Sequence, residues 1–351
     1  MAFIRKRRLT DQQTRRMQAQ QTRRQQDIDD TQQLEGLVVA HYGRQLEVQV
    51  LSVPEQQTPP VIIEGEPEPF WRPVKMDEVW RCHTRTNLEL LVTGDLVRWQ
   101  ADSNTGLGVI SAMHPRSSLL TRPDRYHKVK PVAANVSLIV IVFAPLPVPS
   151  PQLIDRYLVA CEQAEIQPLL VLNKSDLLKE NDGLYQLLKE YEELGYETLL
   201  TSQFNKGDME NLNQRIAGQT VVFVGQSGVG KSSMINEMVP NALQRTNIIS
   251  ENSALGQHTT TTTKLIPLPQ GGALIDSPGI REFGVWHLDV DAIRAGFIEM
   301  HNYYGMCKFR NCSHQREPGC ALIKAAEDGK VLERRLKSLN RLEDESRENN
   351  D

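Results

Sequence analysis

The chain has 351 residues, of which 24% are charged and 39% hydrophobic, and a formal net charge of -4. That balance is ordinary for a globular protein of two or three domains and excludes uniform coating of a nucleic acid. The longest apolar run, Val136 to Leu146, is too short for a bilayer and contains Pro145, so neither a membrane span nor a membrane partner is expected. The basic start runs into glutamines rather than an apolar stretch, so no secretory leader is expected either. Five cysteines, three of them clustered late in the chain, fit a reducing cytoplasm with one metal site better than a disulfide framework.

Residues 1–33 read as a disordered basic arm. Within residues 1–24, Arg5, Lys6, Arg7, Arg8, Arg15, Arg16, Arg23 and Arg24 stand against Asp11 alone, and Gln-Gln-Thr-Arg-Arg occurs twice. The arm serves either as a solubilising tail or as a contact for a polyanion such as RNA. Residues 34–115 read as short strands: Leu37–Ala40 and the alternating Leu46, Val48 and Val50 as a hairpin, then Val79–Cys82, Leu88–Val92, Leu96–Trp99 and Gly108–Ala112. Short strands without a long helix point to a small all-β barrel such as an OB-fold. Aromatic–arginine pairs at Trp71-Arg72, Trp80-Arg81 and Arg98-Trp99 either stack on bases or belong to the barrel core.

From Val132 the pattern becomes α/β. Val136–Phe143 reads as a buried parallel strand. Ser150-Pro151 opens a helix to about Ala164, with Ser as cap and Pro at the first position. Strand Pro168–Leu172, helix Asp182–Leu194, strand Glu197–Thr201, helix Met209–Ile216, strand Val221–Val224 and a helix from Lys231 follow. Thr262–Pro267 and Ala273–Ile275 read as a hairpin across Gly271-Gly272, and residues 286–351 as helical and charged.

Two motifs in this region carry nucleotide chemistry. Gly225-Gln226-Ser227-Gly228-Val229-Gly230-Lys231-Ser232, between a strand and a helix, has the form of a phosphate loop. Its backbone amides would wrap the phosphates, Lys231 would neutralise them, and the Ser232 hydroxyl would ligate magnesium. About fifty residues earlier, Asn173-Lys174-Ser175-Asp176 ends a strand. The Asp176 carboxylate would accept from guanine N1–H and the exocyclic amine, whereas adenine would face it with an acceptor. An ordinary GTPase has these motifs in the reverse order. Thr201-Ser202 occupies the usual base-backing position, but Gln203 replaces the common Ala there.

Asp276-Ser277-Pro278-Gly279 fits the loop that senses the γ-phosphate, with Asp276 holding a magnesium-bound water and the Gly279 amide meeting the phosphate. One of Thr259, Thr260 and Thr261 is expected to close over magnesium, and the spacing does not choose among them. Ile280 stands where Ras-like GTPases have a water-orienting Gln, so the water must be positioned by another group, either His258 or a residue of a partner. Cys307, Cys312, His314 and Cys320, spaced as Cys-x4-Cys-x-His-x5-Cys, offer a full tetrahedral set for one structural zinc, with His301 a competing fourth ligand.

Taken together, NKSD, GQSGVGKSS (to Ser233), GQHTTT and DSPG in this permuted order, followed by the cysteine spacing, resemble the RsgA family, also called YjeQ or EngC. Val92-Thr93-Gly94-Asp95 and Arg116 to Arg122 also look like family segments. The resemblance implies an OB-fold over 34–115, a circularly permuted P-loop GTPase domain over 116–285, and a mainly helical zinc domain with an acidic tail over 286–351. It implies a cytoplasmic GTPase of late 30S subunit maturation that binds GTP, GDP and 16S rRNA. Hydrolysis, stimulated by 30S, would be coupled to its release and to removal of another assembly factor. Nothing in the sequence demands more than a monomer. A different reading remains: an RNA-binding module whose bound GTP is mainly structural.

Overall fold

The computed structural model describes residues 33–43, 45–53, 57, 71–85, 88–102, 106–123, 129–180, 182–240, 263–276 and 288–350. The basic arm through residue 32 lies outside the described residues. The chain divides into two compact units, one made of residues up to 38, 43–91 and 96–115, the other of 39–42, 92–95 and 116 onward.

The first unit is a five-stranded barrel. Its strands are β1 (Leu34–Tyr42, contributing Leu34–Val38 here), β2 (Gln45–Val50), β3 (Val79–Thr84), β4 (Leu96–Ala101) and β5 (Gly108–Met113). They pair in the order β1-β2-β3-β5-β4, and β4 returns to β1 from Leu34↔Trp99 to Leu37↔Leu96. Closure removes the open sheet edge, and the one parallel pair is β3 with β5. Alternate residues point inward, burying Leu46, Val48, Val50, Val97 and Ile110. Trp80 and Trp99 fill the centre with ring centroids 5.4 Å apart. A Cβ on Gly36 would stand 2.8 Å from Trp99 Nε1, so the large ring there requires glycine opposite it.

One open alternative closes here and one expectation changes. Trp80 and Trp99 are 1% and 0% exposed, so they are barrel core and not base-stacking groups. The Arg72 guanidinium covers the Trp80 ring at 4.0 Å. Leu88–Val92 forms no strand, because the Val92 amide donates to the Asp95 carboxylate at 2.7 Å instead of to a ladder.

In the second unit, β6 (Leu119–Pro123) and β7 (Val129–Ala134) form an antiparallel ribbon. It went unread in the sequence because Pro123, Pro131 and charged residues interrupt any apolar alternation. The main elements follow as β8 (Leu138–Phe143), α1 (Pro151–Gln163), β9 (Gln167–Asn173), α2 (Gly183–Glu193), β10 (Glu197–Thr201), α3 (Lys206–Ile216), β11 (Thr220–Val224), α4 (Lys231–Met238), β12 (Lys264–Pro267) and β13 (Ala273–Asp276). The sheet order is β10-β9-β8-β11-β13-β12, parallel except for β12. All six residues of β8 are buried, as a strand covered on both faces requires. From β8 the chain winds outward through β9 and β10, then returns to β11 on the other side of β8. That reversal opens a crevice at the carboxyl ends of β8 and β11, where doubly wound sheets hold their ligands. Ser150 caps α1 by accepting from the Leu153 amide, with Pro151 in the first turn.

The C-terminal segment adds α5 (Val290–Ala295), a 3-10 turn at Ile298–Tyr303, α6 (Ala321–Glu327) and α7 (Glu333–Asn350). No helix among the described residues is long and apolar enough to cross a membrane. α5 and α7 pack on α1. Gly296 sits where a Cβ would meet Val159 Cγ1 at 2.7 Å, so the chain passes α1 in near contact. Arg335 of α7 is fully buried and donates to Asp155 of α1 at 2.9 Å and to Glu299 at 2.7 and 3.0 Å. Burial works against its charge, but the Glu299 hydrogen bonds and Asp155 outweigh that and hold its pKa above the usual arginine value. Replacing Arg335 with Met removes the guanidinium that pairs with buried Asp155 and with Glu299. The expected loss is about 3–5 kcal/mol of unfolding free energy in urea titrations. A loss within error of zero would show that the cluster does not hold α7 in place.

Candidate nucleotide site and metal centre

The phosphate loop leaves β11 at Gly225, whose φ of 134° and whose place 2.0 Å (as a Cβ) from Val142 O admit only glycine. The loop turns through Gly228 and Gly230, both at positive φ, and α4 begins at Lys231. Val229 is buried beneath the loop, while Ser227 and Gly228 are exposed and Gln226 is partly so. Lys231 Nζ lies 2.7 and 2.6 Å from the carbonyl oxygens of Gly225 and Gln226. Ser232 and Ser233 stand exposed on the first turn of α4. Asp276 is the last residue of β13, which runs parallel to β11.

The Asn173–Asp176 segment ends β9 on the same side of the sheet. Asn173 is 6% exposed; its Nδ2 donates to Val229 O at 2.9 Å, and its Oδ1 accepts from the Thr201 hydroxyl at 3.0 Å. Lys174 is left-handed at φ 58°, an uncommon state for a non-glycine residue. Its ammonium spans the crevice to Gly228 O at 2.7 Å and Leu146 O at 2.9 Å. Ser175 begins a 3-10 turn, and the exposed Asp176 carboxylate accepts from the Ser202 hydroxyl at 2.6 Å. Ser202 is itself fixed by its amide, which donates to Asp208 at 3.1 Å. His258, Thr259, Thr260, Thr261, Ser277, Gly279 and Ile280 lie outside the described residues.

The four late ligand candidates converge. Sγ of Cys307, Cys312 and Cys320 and a ring nitrogen of His314 all lie within 4.8 Å of one another. Cys307 Sγ is 3.8 Å from Cys320 Sγ and 3.5 Å from His314 Nδ1, which is 3.4 Å from Cys320 Sγ. Tetrahedral zinc with usual bond lengths sets sulfurs about 3.8 Å apart and sulfur from nitrogen about 3.6 Å. The donor set therefore fits such an ion in both chemistry and spacing. The sulfurs are far beyond disulfide length, and all five cysteines are free. Burial pushes the Cys312 thiol up to about 12, an effect a bound cation would reverse. Burial also lowers the His314 pKa, favouring the neutral ring that ligates metals. His301 stands outside the cluster, with Nε2 2.8 Å from Ala295 O. The Glu317 carboxylate braces the ligand loop, accepting from the Ser313 amide at 2.7 Å and the Arg316 amide at 3.1 Å.

The RsgA GTPase family model matches residues 113–286. A protein of Pseudomonas putida named small ribosomal subunit biogenesis GTPase RsgA is 50% identical over 305 residues, which are 86% of this chain and 83% of that one. A protein of the same name in Pseudomonas fluorescens is 52% identical over the same shares. The chain belongs to the RsgA GTPase family. The solved structure of YjeQ from Thermotoga maritima aligns with a TM-score of 0.66 and 28% identity over 90% of this chain and 98% of that one. YloQ, described as a circularly permuted GTPase, aligns at 0.65 with 26% identity over 92% and 98%. The permuted family fold explains how the Asn173–Asp176 segment, which comes first in the chain, lies beside the Gly225–Ser232 loop, which comes later.

Sequence reasoning undervalued Thr201 and Ser202, because Gln203 interrupts the usual motif. The signal lay in their hydroxyls, which could reach Asn173 and Asp176 once β10 paired with β9. Gly230 is where the two loops meet most closely: at φ 103°, a Cβ would stand 2.3 Å from Asn173 Nδ2. Gly230→Ala is expected to lower guanine-nucleotide affinity by about tenfold or more, through strain and displacement of Asn173, with the circular dichroism spectrum unchanged. Undiminished binding by calorimetry would show that the two loops need not touch.

Proposed function

We propose that this chain is a GTPase of late 30S ribosomal subunit maturation, which binds 16S rRNA in the cytoplasm and hydrolyses GTP to GDP and phosphate when 30S engages it. The observation that carries the reading is the 2.9 Å hydrogen bond from Asn173 to Val229 O. It ties the base-reading segment to the phosphate loop in a chain half identical to proteins named for small-subunit biogenesis.

In this reading Asp176, held by Ser202, selects guanine, and the Lys174 stem lines the base. The amides from Gly225 to Ser233 enclose the phosphates at the start of α4, where the helix dipole favours negative charge. Lys231 exchanges its loop carbonyl partners for the β- and γ-phosphate oxygens. Ser232, Asp276 and one of Thr259 to Thr261 would hold magnesium, which supplies charge neutralisation of the phosphates. The Gly279 amide senses the γ-phosphate, and His258 or a partner's residue orients the attacking water. Cys307, Cys312, His314 and Cys320 hold one structural zinc. Release from 30S follows hydrolysis, together with displacement of another assembly factor, and the chain acts as a monomer.

GTP hydrolysis measured alone and with 30S, 50S and 70S particles tests the reading. Stimulation of about tenfold or more by 30S alone is expected, with GTP but not ATP competing for the site. No stimulation by any particle, with GTP still bound, would favour an RNA-binding module with structural GTP. His258→Ala is expected to keep GTP affinity while losing about 10²–10⁴-fold of stimulated turnover, and unchanged turnover would remove His258 from the mechanism. For the metal, elemental analysis is expected to find one zinc per chain, lost in Cys320→Ser; a full complement of zinc in that variant would reject the ligand set.

A further inference from the structure

Val92-Thr93-Gly94-Asp95 lies in the stretch of chain between Leu91 and β4, yet it packs in the second unit, as residues 39–42 of β1 do. The turn is fastened at every residue. The fully buried Asp95 carboxylate accepts from the Val92 amide at 2.7 Å and from Arg116 Nε and Nη2 at 2.7 and 2.8 Å. Gly94 O accepts from Asn135 Nδ2 at 2.8 Å, and a Cβ on Gly94 would stand 2.1 Å from Ala134 O. Thr93 O accepts from the Ala134 amide at 3.0 Å. The Thr93 side chain is 1% exposed, and its hydroxyl donates to Thr263 O at 3.1 Å, 170 residues further along the chain. Valine would fill the same space; a buried hydroxyl is tolerated there because it finds a carbonyl.

Thr263 is the residue before β12. Lys264, the first residue of β12, pairs with Ala40 of β1 on one side and with Asp276 of β13 on the other. Lys264 and Asp276 sit opposite each other in that ladder, so whatever holds the chain at Thr263 also holds the end of β13. In the GTPase reading Asp276 stands on the magnesium side of the nucleotide. Thr259 to Thr261, the other candidates for that side, precede Thr263 by two to four residues in sequence. None of the motif residues read from the sequence fixes the entry to β12.

We propose that Thr93 is a positioning residue for the magnesium side of the nucleotide site, acting through Thr263 and β12 on Asp276. It rests on the reading of this unit as the GTP site. Asn173 and Asp176 and the Gly225–Ser232 loop belong to β9 and β11 and do not depend on this anchor. Loss of the Thr93 hydroxyl therefore weakens the part of nucleotide affinity that magnesium supplies and leaves the rest.

The test uses the full chain and a fluorescent, non-hydrolysable GTP analogue, with its Kd measured in magnesium and in EDTA. Thr93→Val removes the hydroxyl and keeps the shape. Its Kd in magnesium is expected to rise about fivefold, the scale of one lost hydrogen bond, while Kd in EDTA is unchanged. Thr93→Ser restores the hydroxyl and is expected to bind in magnesium as the parent does. Equal weakening in both conditions, an unchanged Kd in magnesium, or a serine variant that behaves like the valine one overturns the positioning role. A parent chain with the same Kd in magnesium and EDTA overturns it too.

Asn135→Asp carries the test where valine at position 93 prevents folding. It keeps the oxygen that accepts from the Ser117 amide and removes the donor to Gly94 O. Loosening the same turn from its other side is expected to raise Kd in magnesium and not in EDTA, and no rise in magnesium overturns the role. A parent chain that binds no guanine nucleotide in either condition would instead defeat the GTP-site reading, a result distinct from these.

Discussion

The nucleotide site depends on one contact, the approach of Asn173 to the backbone at Val229 and Gly230. Asn173 Nδ2 donates to Val229 O at 2.9 Å, and nothing larger than hydrogen fits on the Gly230 α-carbon beside it. The contact joins residues 56 apart in sequence. It exists because β9 and β11 flank β8 in one parallel sheet, which brings their carboxyl ends to the same crevice. Strand adjacency, and not chain order, decides which loops meet. The reversed motif order therefore leaves the chemistry intact, since a fold depends on which elements touch rather than on where the chain is cut.

The second determinant is charge buried at the other end of α1. Arg335 and Asp155 have lost their water, Glu299 is partly buried beside them, and Arg334 reaches Glu190 and the Tyr191 hydroxyl. Desolvating such groups costs about as much as their attraction returns, so a well-packed apolar cluster of equal volume would hold the helices as firmly. What the charged cluster adds is uniqueness of register. The guanidinium fork matches two carboxylates in one geometry only, and a one-residue slip of α7 would leave each of them unpaired. The outer pairs, Arg294–Glu343 and Arg156–Glu345, continue that register along the helix.

Much of this was legible in the sequence wherever a local rule coincided with the tertiary demand. β8 and β9 declared themselves as unbroken apolar runs because helices cover both faces of the sheet. α1 declared its start through Ser150-Pro151. The phosphate loop was legible because its glycines answer a backbone geometry, and the metal cluster because its four ligands lie within fourteen residues of chain. What stayed illegible depends on partners distant in sequence. Leu88–Val92 has strand composition, yet the Asp95 carboxylate claims its amide. Trp80 and Trp99 sit beside arginines as base-stacking residues do, and only closure of the barrel encloses them. Arg335 looked like one more charge on a solvated helix, since nothing near it in the chain announces Asp155.

These two determinants meet in α1. One end of the helix follows the loop whose Leu146 carbonyl accepts from Lys174, so α1 begins where the base-reading segment is anchored. Its outer face is seated by Arg335 and Glu345. A helix of 13 residues bends little over that length, so its faces move together. The C-terminal segment that carries the Cys307–Cys320 cluster thus packs on the helix that follows the Leu146 loop. In an unpermuted GTPase the chain order would end the domain elsewhere. Here the order places the helices that carry the Cys307–Cys320 cluster after β13, and their last helix then returns across α1. The C-terminal segment is joined to the nucleotide loops twice, once by the covalent chain after Asp276 and once by packing on α1. A segment held at both points has less freedom to move independently of the nucleotide domain than one tethered by the chain alone.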